Sequence, residues 1–147
     1  MTLQHPLRLL CALLLAATGA PALAAWTYVG DVADGVVYYD EATPKKAGAV
    51  ASLMIMVNFN QEDPPKAPPK PGASKPPASA VYLVEMDCAE PRMREMNAEG
   101  FSQQNGKGSS VQKNAAPSAW KKISAPVFPK PEALLKIQGF ACKTAKP

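Results

Sequence analysis

The chain has 147 residues and a formal net charge of +4 at pH 7, from 16 lysines and arginines against 12 aspartates and glutamates. That length suits one domain rather than two. So mild a positive balance, with no interleaved aromatics among the clustered lysines, does not mark a nucleic-acid binder.

Residues 1–24 read as an export leader. Arg8 supplies the positive start, Leu9 to Gly19 the apolar stretch, and Ala22-Leu23-Ala24 an A-x-A cleavage site ahead of Ala25. The apolar run is shorter than the roughly 20 residues of a membrane span. No later segment is long enough either, so no transmembrane segment is expected after cleavage. Cys11 lacks the small residue and the preceding apolar core that lipidation requires, and leaves with the leader. The single histidine, His5, leaves too. Without histidine the exported chain cannot build a Ser-His-Asp or Cys-His site. It also lacks the commonest zinc and copper ligand. No catalytic residue, cofactor site or metal site is expected, and the chain does not read as an enzyme.

Residues 25–147 read as one α+β domain. Trp26 to Val29 is a short first strand ending at Gly30. Gly35 to Asp40 is β-branched and aromatic and suits a second strand. Asp31 to Gly35 turns between them, with Asp34-Gly35 as its sharp point. Asp40 to Gly48 reads as a connection. Ala49 to Phe59 is a central strand: Ala51, Leu53, Ile55, Val57 and Phe59 share a core face, while Ser52, Met54, Met56 and Asn58 share a half-covered one.

The segment 63–79 is an insertion beyond what two neighbouring strands need. About half of Pro64 to Pro77 is proline, interleaved with Lys66, Lys70 and Lys75. Proline removes backbone donors and fixes φ, so this cannot pair inside a sheet. An extended, polyproline-like loop is expected, reaching roughly 40 Å at about 3.1 Å per residue. Three uses are open to it: a plain spacer, a basic protein-binding arm carrying Lys66, Lys70 and Lys75, or a docking motif for a proline-binding partner.

Ala80 to Asp87 alternates again, with Tyr82, Val84 and Met86 on one face and Val81, Leu83 and Glu85 on the other. Pro91 predicts a bulge or edge after Cys88, and Arg92 to Phe101 resumes as a more exposed strand. Asn105-Gly106 is a two-residue turn signal, from which Gly108 to Gln112 returns. Lys113 to Ala119 is a polar loop, Trp120 to Ile123 a short last strand, and Pro126 to Pro131 a stiff connector. Pro131 and Glu132 then open a C-terminal helix. Leu134, Ile137 or Gln138, and Ala141 share its apolar face, Leu135 widens that face, and Gly139 weakens the pattern.

Cys88 and Cys142 are the two cysteines of the exported chain, and such a pair is expected to form a disulfide. A two-cysteine metal site would need carboxylates or a second chain to complete it. Glu85, Asp87, Glu90, Arg92 and Arg94 alternate in sign around Cys88. A carboxylate pair can serve acid–base catalysis, but surface ion pairing is the better reading of this pattern. Gly106-Lys107-Gly108 has the composition of a phosphate cradle without its downstream residues, and reads as a hairpin tip. Trp26 and Trp120 are either exposed platforms or core residues. Their strand positions favour the core.

Taken in order, several blocks resemble the surface-adhesin protein E family of Gram-negative exported proteins. They are Trp26-Thr27-Tyr28-Val29-Gly30, Val37-Tyr38-Tyr39-Asp40, Glu85-Met86-Asp87-Cys88 with Arg92 and Arg94, Gly106-Lys107-Gly108, Trp120-Lys121-Lys122-Ile123 and the late Cys142. The resemblance implies a small antiparallel sheet of about six strands, a packed C-terminal helix and a disulfide joining them. It also implies an adhesin-type role, binding host extracellular-matrix or serum proteins at the cell surface. The chain departs from the family pattern at Met54, Met56 and Asn58-Phe59, at Ala125-Pro126-Val127, and in its longer Pro/Lys loop. The alternative is a periplasmic structural or envelope-assembly protein with no host ligand. The expected location is therefore the periplasm or the outer cell surface, and an uncovered strand edge would support a homodimer.

Overall fold

A computed structural model describes residues 25–32, 34–60, 76–124 and 129–146. The leader, the stretch carrying Lys66, Lys70 and Lys75, and residues 126–128 of the expected connector lie outside the described residues. The sheet is organised around β4 (Val50–Phe59), whose alternation sorts its side chains onto two faces. Ala51, Leu53, Ile55 and Val57 are at most 1 % exposed, whereas Met54 on the other face is 37 % exposed. β5 (Ser79–Asp87) lies antiparallel to β4 along its whole length, from Val50 opposite Asp87 to Asn58 opposite Ser79.

The hairpin of β1 (Trp26–Val32) and β2 (Gly35–Asp40) adds on one side. β6 (Arg92–Phe101) and β7 (Ser110–Asn114) add on the other, in the order β1-β2-β4-β5-β6-β7. The first turn is sharper than Asp34-Gly35 implied, because Val32 already faces Gly35 and Gly35 belongs to β2. Gly35 is needed for a close approach: a Cβ there would fall 2.1 Å from the Asn58 carbonyl oxygen on β4.

Two short strands complete the sheet. β2 covers only Ile55 to Phe59 of β4, which leaves Val50 to Ser52 open. β3 (Lys45–Ala47) fills that gap after a reversal at Gly48, which takes φ +61°. The expected connection from Asp40 to Gly48 thus contains a strand. β8 (Lys121–Lys122) pairs with Arg92 and Met93 of β6, where β7 does not reach.

The helix α1 (Pro131–Thr144) starts with Pro131 and Glu132 in its first turn and carries Lys143 in its last, each suited to the helix dipole. It continues through Gly139 for a further turn. Leu134, Ile137 and Ala141 are fully buried against β4, β5 and β1. Tyr39 and Phe140 pack with ring centroids 4.4 Å apart. Leu135, expected to widen this face, is instead 44 % exposed. At 3.6 residues per turn it stands about 100° round from Leu134, off the stripe.

After Cys88 the chain does not continue outward but reverses in a tight turn, so that Met86 of β5 faces Met93 of β6. Asp87 builds that turn. Its Oδ1 accepts from the backbone N–H groups of Ala89 (2.8 Å) and Glu90 (3.3 Å), and its Oδ2 accepts from Nε (2.8 Å) and Nη2 (2.6 Å) of Arg92. Those donors, the Ala89 N–H first and the Arg92 guanidinium second, hold its carboxyl below the usual aspartate range despite burial. The turn is fastened to α1 twice. Cys88 and Cys142 form the expected disulfide. Gln138 donates from Nε2 to the carbonyls of Asp87 and Glu90.

Asp87 and the disulfide each give a measurable outcome. A carboxylate with a depressed folded-state pKa contributes stability that is present above its unfolded pKa, near 4, and is lost as pH falls through its folded value. The urea midpoint should therefore fall below about pH 4 more steeply in the parent protein than in Asp87→Asn, and parallel pH profiles would refute this role. Replacing both Cys88 and Cys142 by serine should remove about 2–4 kcal/mol of unfolding free energy by denaturant titration.

Candidate binding face

Because α1 covers one side of the sheet, side chains that alternate with the core project from the other. No helix among the described residues lies on that side. A row crosses it from Tyr28 through Tyr38 and Met56 to Val81, each facing the next across neighbouring strands, and Met54 faces Leu83 beside it. Tyr28 is 56 % exposed and meets Tyr38 edge-on, with centroids 6.1 Å apart. Its hydroxyl titrates above the ordinary tyrosine range, first through partial loss of hydration and then through the Asp31 carboxylate beside it. Tyr38, Val81 and Leu83 are half-buried.

Met56 alone in this stripe is fully buried, because a loop folds over it. In the β6–β7 connection Asn105 and Gly106 take φ +62° and +66°, and the Lys107 N–H donates to the Gln104 carbonyl at 3.3 Å. This is the mirror-image turn that Asn-Gly favours. It forms the expected hairpin tip, but the tip bends back onto the sheet rather than extending beyond it. The Asn105 N–H donates to Asn58 Oδ1 (2.7 Å) and Asn58 Nδ2 donates to Asn105 Oδ1 (2.8 Å). Ser79 Oγ accepts from the Gly106 N–H (2.9 Å) and donates to the Gln103 carbonyl (2.6 Å). Gln104 Nε2 reaches the carbonyls of Phe59 and Ala78. A Cβ on Gly106 would stand 3.3 Å from Val81 and 4.0 Å from the Met56 sulfur. Asn58, a departure from the family pattern, is thus the tip's anchor. Through Gln104 the tip is thus tied to Phe59 and Ala78, which lie close in sequence to the described ends Asn60 and Pro76. Lys66, Lys70 and Lys75 themselves lie outside the described residues.

The opposite end of the face is charged. Arg94 of β6 faces Glu85 of β5 and pairs with it at 2.6 Å. Arg92 pairs with Asp87, and more loosely with Glu90 at 3.5 Å. The guanidinium carbons of Arg92 and Arg94 lie 5.2 and 4.9 Å from the Trp120 ring. The alternating charges therefore form ion pairs, exposed at Glu90 and buried at Asp87, and the carboxylates are held by arginines rather than by each other. Neither Trp26 nor Trp120 enters the core, contrary to expectation. Trp26 begins an edge strand, and Trp120 precedes the edge strand β8, where two cations take its ring. Among the described residues, no group of three or more His, Cys, Asp or Glu side chains could hold a metal, and no helix is long and apolar enough to cross a membrane.

Among proteins with curated descriptions, none matches the chain. Solved structures do. A crystal structure of protein E from non-typeable Haemophilus influenzae is similar with a TM-score of 0.52 at 12 % identity, covering 79 % of this chain and 75 % of that one. A second structure of Haemophilus influenzae protein E gives a TM-score of 0.52 at 11 % identity, over 79 % of this chain and 86 % of that one. At such identity the likeness establishes the fold: an antiparallel sheet with one C-terminal helix. A family model described as surface-adhesin protein E matches residues 26–143, from the first residue of β1 to the last turn of α1, and the chain belongs to that family.

Proposed function

We propose that the exported chain is a non-enzymatic, adhesin-like module that binds host matrix or serum proteins at the bacterial outer surface. The observation that carries this reading is the uncovered face, where Tyr28 and Met54 are 56 % and 37 % exposed beside half-buried Tyr38 and Leu83. Burying such side chains requires a partner, and tyrosines are over-represented among the residues that dominate protein interfaces. Membership of the adhesin family supports the same role. In this reading Lys66, Lys70 and Lys75 act as a basic arm that contributes long-range attraction to an acidic partner.

Two measurements test it. Protease treatment of intact cells should degrade the chain as it does in a lysed control. Protection until lysis would place it in the periplasm, in a structural or envelope-assembly role. With immobilised basement-membrane extract and serum as ligand sources, Tyr28→Ala should weaken binding about tenfold without moving the denaturant midpoint. Replacing Lys66, Lys70 and Lys75 together by alanine should weaken it and flatten its salt dependence. Unchanged binding in both variants would refute the assignment.

A further inference from the structure

A second feature of the same face is independent of its tyrosines. Between β3 and the C-terminal residues lies a shallow cleft of about 510 Å³, lined by Pro44, Lys45, Lys46, Ala47, Val50, Ser52, Glu85 and Lys146. Lys45 faces Ser52 on β4, Ser52 faces Glu85 on β5, and Glu85 faces Arg94 on β6. Lys146 bridges to Lys45 on the outer side of β3, and Lys122 of β8 faces Arg92 beyond β6. The result is a cationic band running across the strands: Lys146, Lys45, Arg94 and Arg92, then Lys122. At about 4.8 Å per strand it is roughly 24 Å long.

The acids in this band are already committed. Glu85 is held by Arg94 and Asp87 by Arg92, with Glu90 at the rim beside Arg92. Lys45, Lys122 and Lys146 are exposed, and among the described residues none of them has a carboxylate within ion-pair distance. The neighbouring Lys46 also lines the cleft, but its Nζ is directed to the Cys142 carbonyl at 3.5 Å.

We infer that this band is a binding site for a sulfated polysaccharide chain. Its direction selects that chemistry. An extended peptide docks along a strand edge and a helical one in an apolar groove, whereas this band crosses five strands and offers neither. It presents exposed ammonium groups on either side of the paired arginines, Lys45 and Lys146 at one end and Lys122 at the other, with a shallow floor that demands little shape. That suits a long polyanion with regularly spaced sulfates, whose binding gains from release of condensed counterions. The inference rests on this face being the one turned toward ligands, and it adds a glycan to the protein partner proposed above. The two fail separately, because the tyrosine stripe and the lysine band share no residue.

Heparin is the probe, titrated into the disulfide-bonded exported chain over a range of NaCl concentrations. Replacing Lys45, Lys122 and Lys146 together by alanine should weaken binding at least about tenfold near physiological ionic strength and flatten its salt dependence. The triple arginine variant should retain binding, which separates lost charge from lost folding. Replacing Lys130 and Lys136, exposed on the helix side, should leave it unchanged. An equal loss in that control, or no loss in the triple alanine variant, would overturn the site. So would displacement of heparin by polyglutamate at equal charge, which assigns the band to acidic protein. Tighter binding to phosphatidylglycerol vesicles than to heparin would assign it to a membrane and overturn it likewise.

Discussion

The turn between β5 and β6 is the joint on which the remaining packing depends. A fourteen-residue helix is marginal by itself in water, and α1 buries only one narrow stripe. Remove it and the central row of Ala51, Leu53, Ile55 and Val57 faces solvent. The protein secures it at Asp87–Arg92. Asp87 closes the turn by accepting from four donors, Cys88 links it covalently to Cys142, and Gln138 satisfies two of its carbonyls from the helix. The cross-link works mainly on the unfolded chain, whose freedom it restricts, while the hydrogen bonds fix where on the sheet the helix rests.

That one-sided fastening leaves the second sheet face without a covering helix among the described residues, and the chain manages its two ends differently. At one end the β6–β7 tip lies over Met56, anchored by Asn58 and Ser79. Their side chains are buried and satisfied, and no buried side-chain polar atom among the described residues lacks a partner. At the other end arginines take the carboxylates and stack on Trp120. Between the two lies the exposed stripe headed by Tyr28. The face is thus graded from polar latch through apolar stripe to cationic band.

Much of this was legible in the sequence, and what was not has identifiable causes. The period-two alternation of Ala49 to Phe59 and Ala80 to Asp87 reports burial on one side directly, so the central strands and their core faces read correctly. So did the Asn105-Gly106 turn, where backbone conformation is decided by two residues. Lys45 to Ala47 carries no such pattern. It becomes a strand only because β2 stops short on β4, a fact of tertiary register. The strand position of Trp120 favours the core, but two arginines across a strand boundary take its ring. Leu135 illustrates the narrowness of the helix contact. The folding back of the tip left one trace: a polar Asn58 and Ser79 at opposed positions where the neighbouring pairs are apolar. The proposed basic arm at Lys66, Lys70 and Lys75 rests on composition, with no packing contact to test it against.

Twelve per cent identity with a shared fold shows which part of the sequence carries the architecture. Alternation, turn chemistry and the Cys88–Cys142 bond constrain residue class and spacing, and many sequences meet those demands. A ligand-facing surface is constrained differently, by particular side chains, and no packing requirement preserves them. Met54 and Asn58 sit where the family pattern has other residues, and both project onto the uncovered face. Met54 is exposed there and Asn58 holds the loop that shapes one end. The fold therefore supplies a platform, while the chemistry of its open face has to be read from this chain's own side chains. Ligand choice within the family is to be argued from that face, residue by residue, rather than inherited with the sheet.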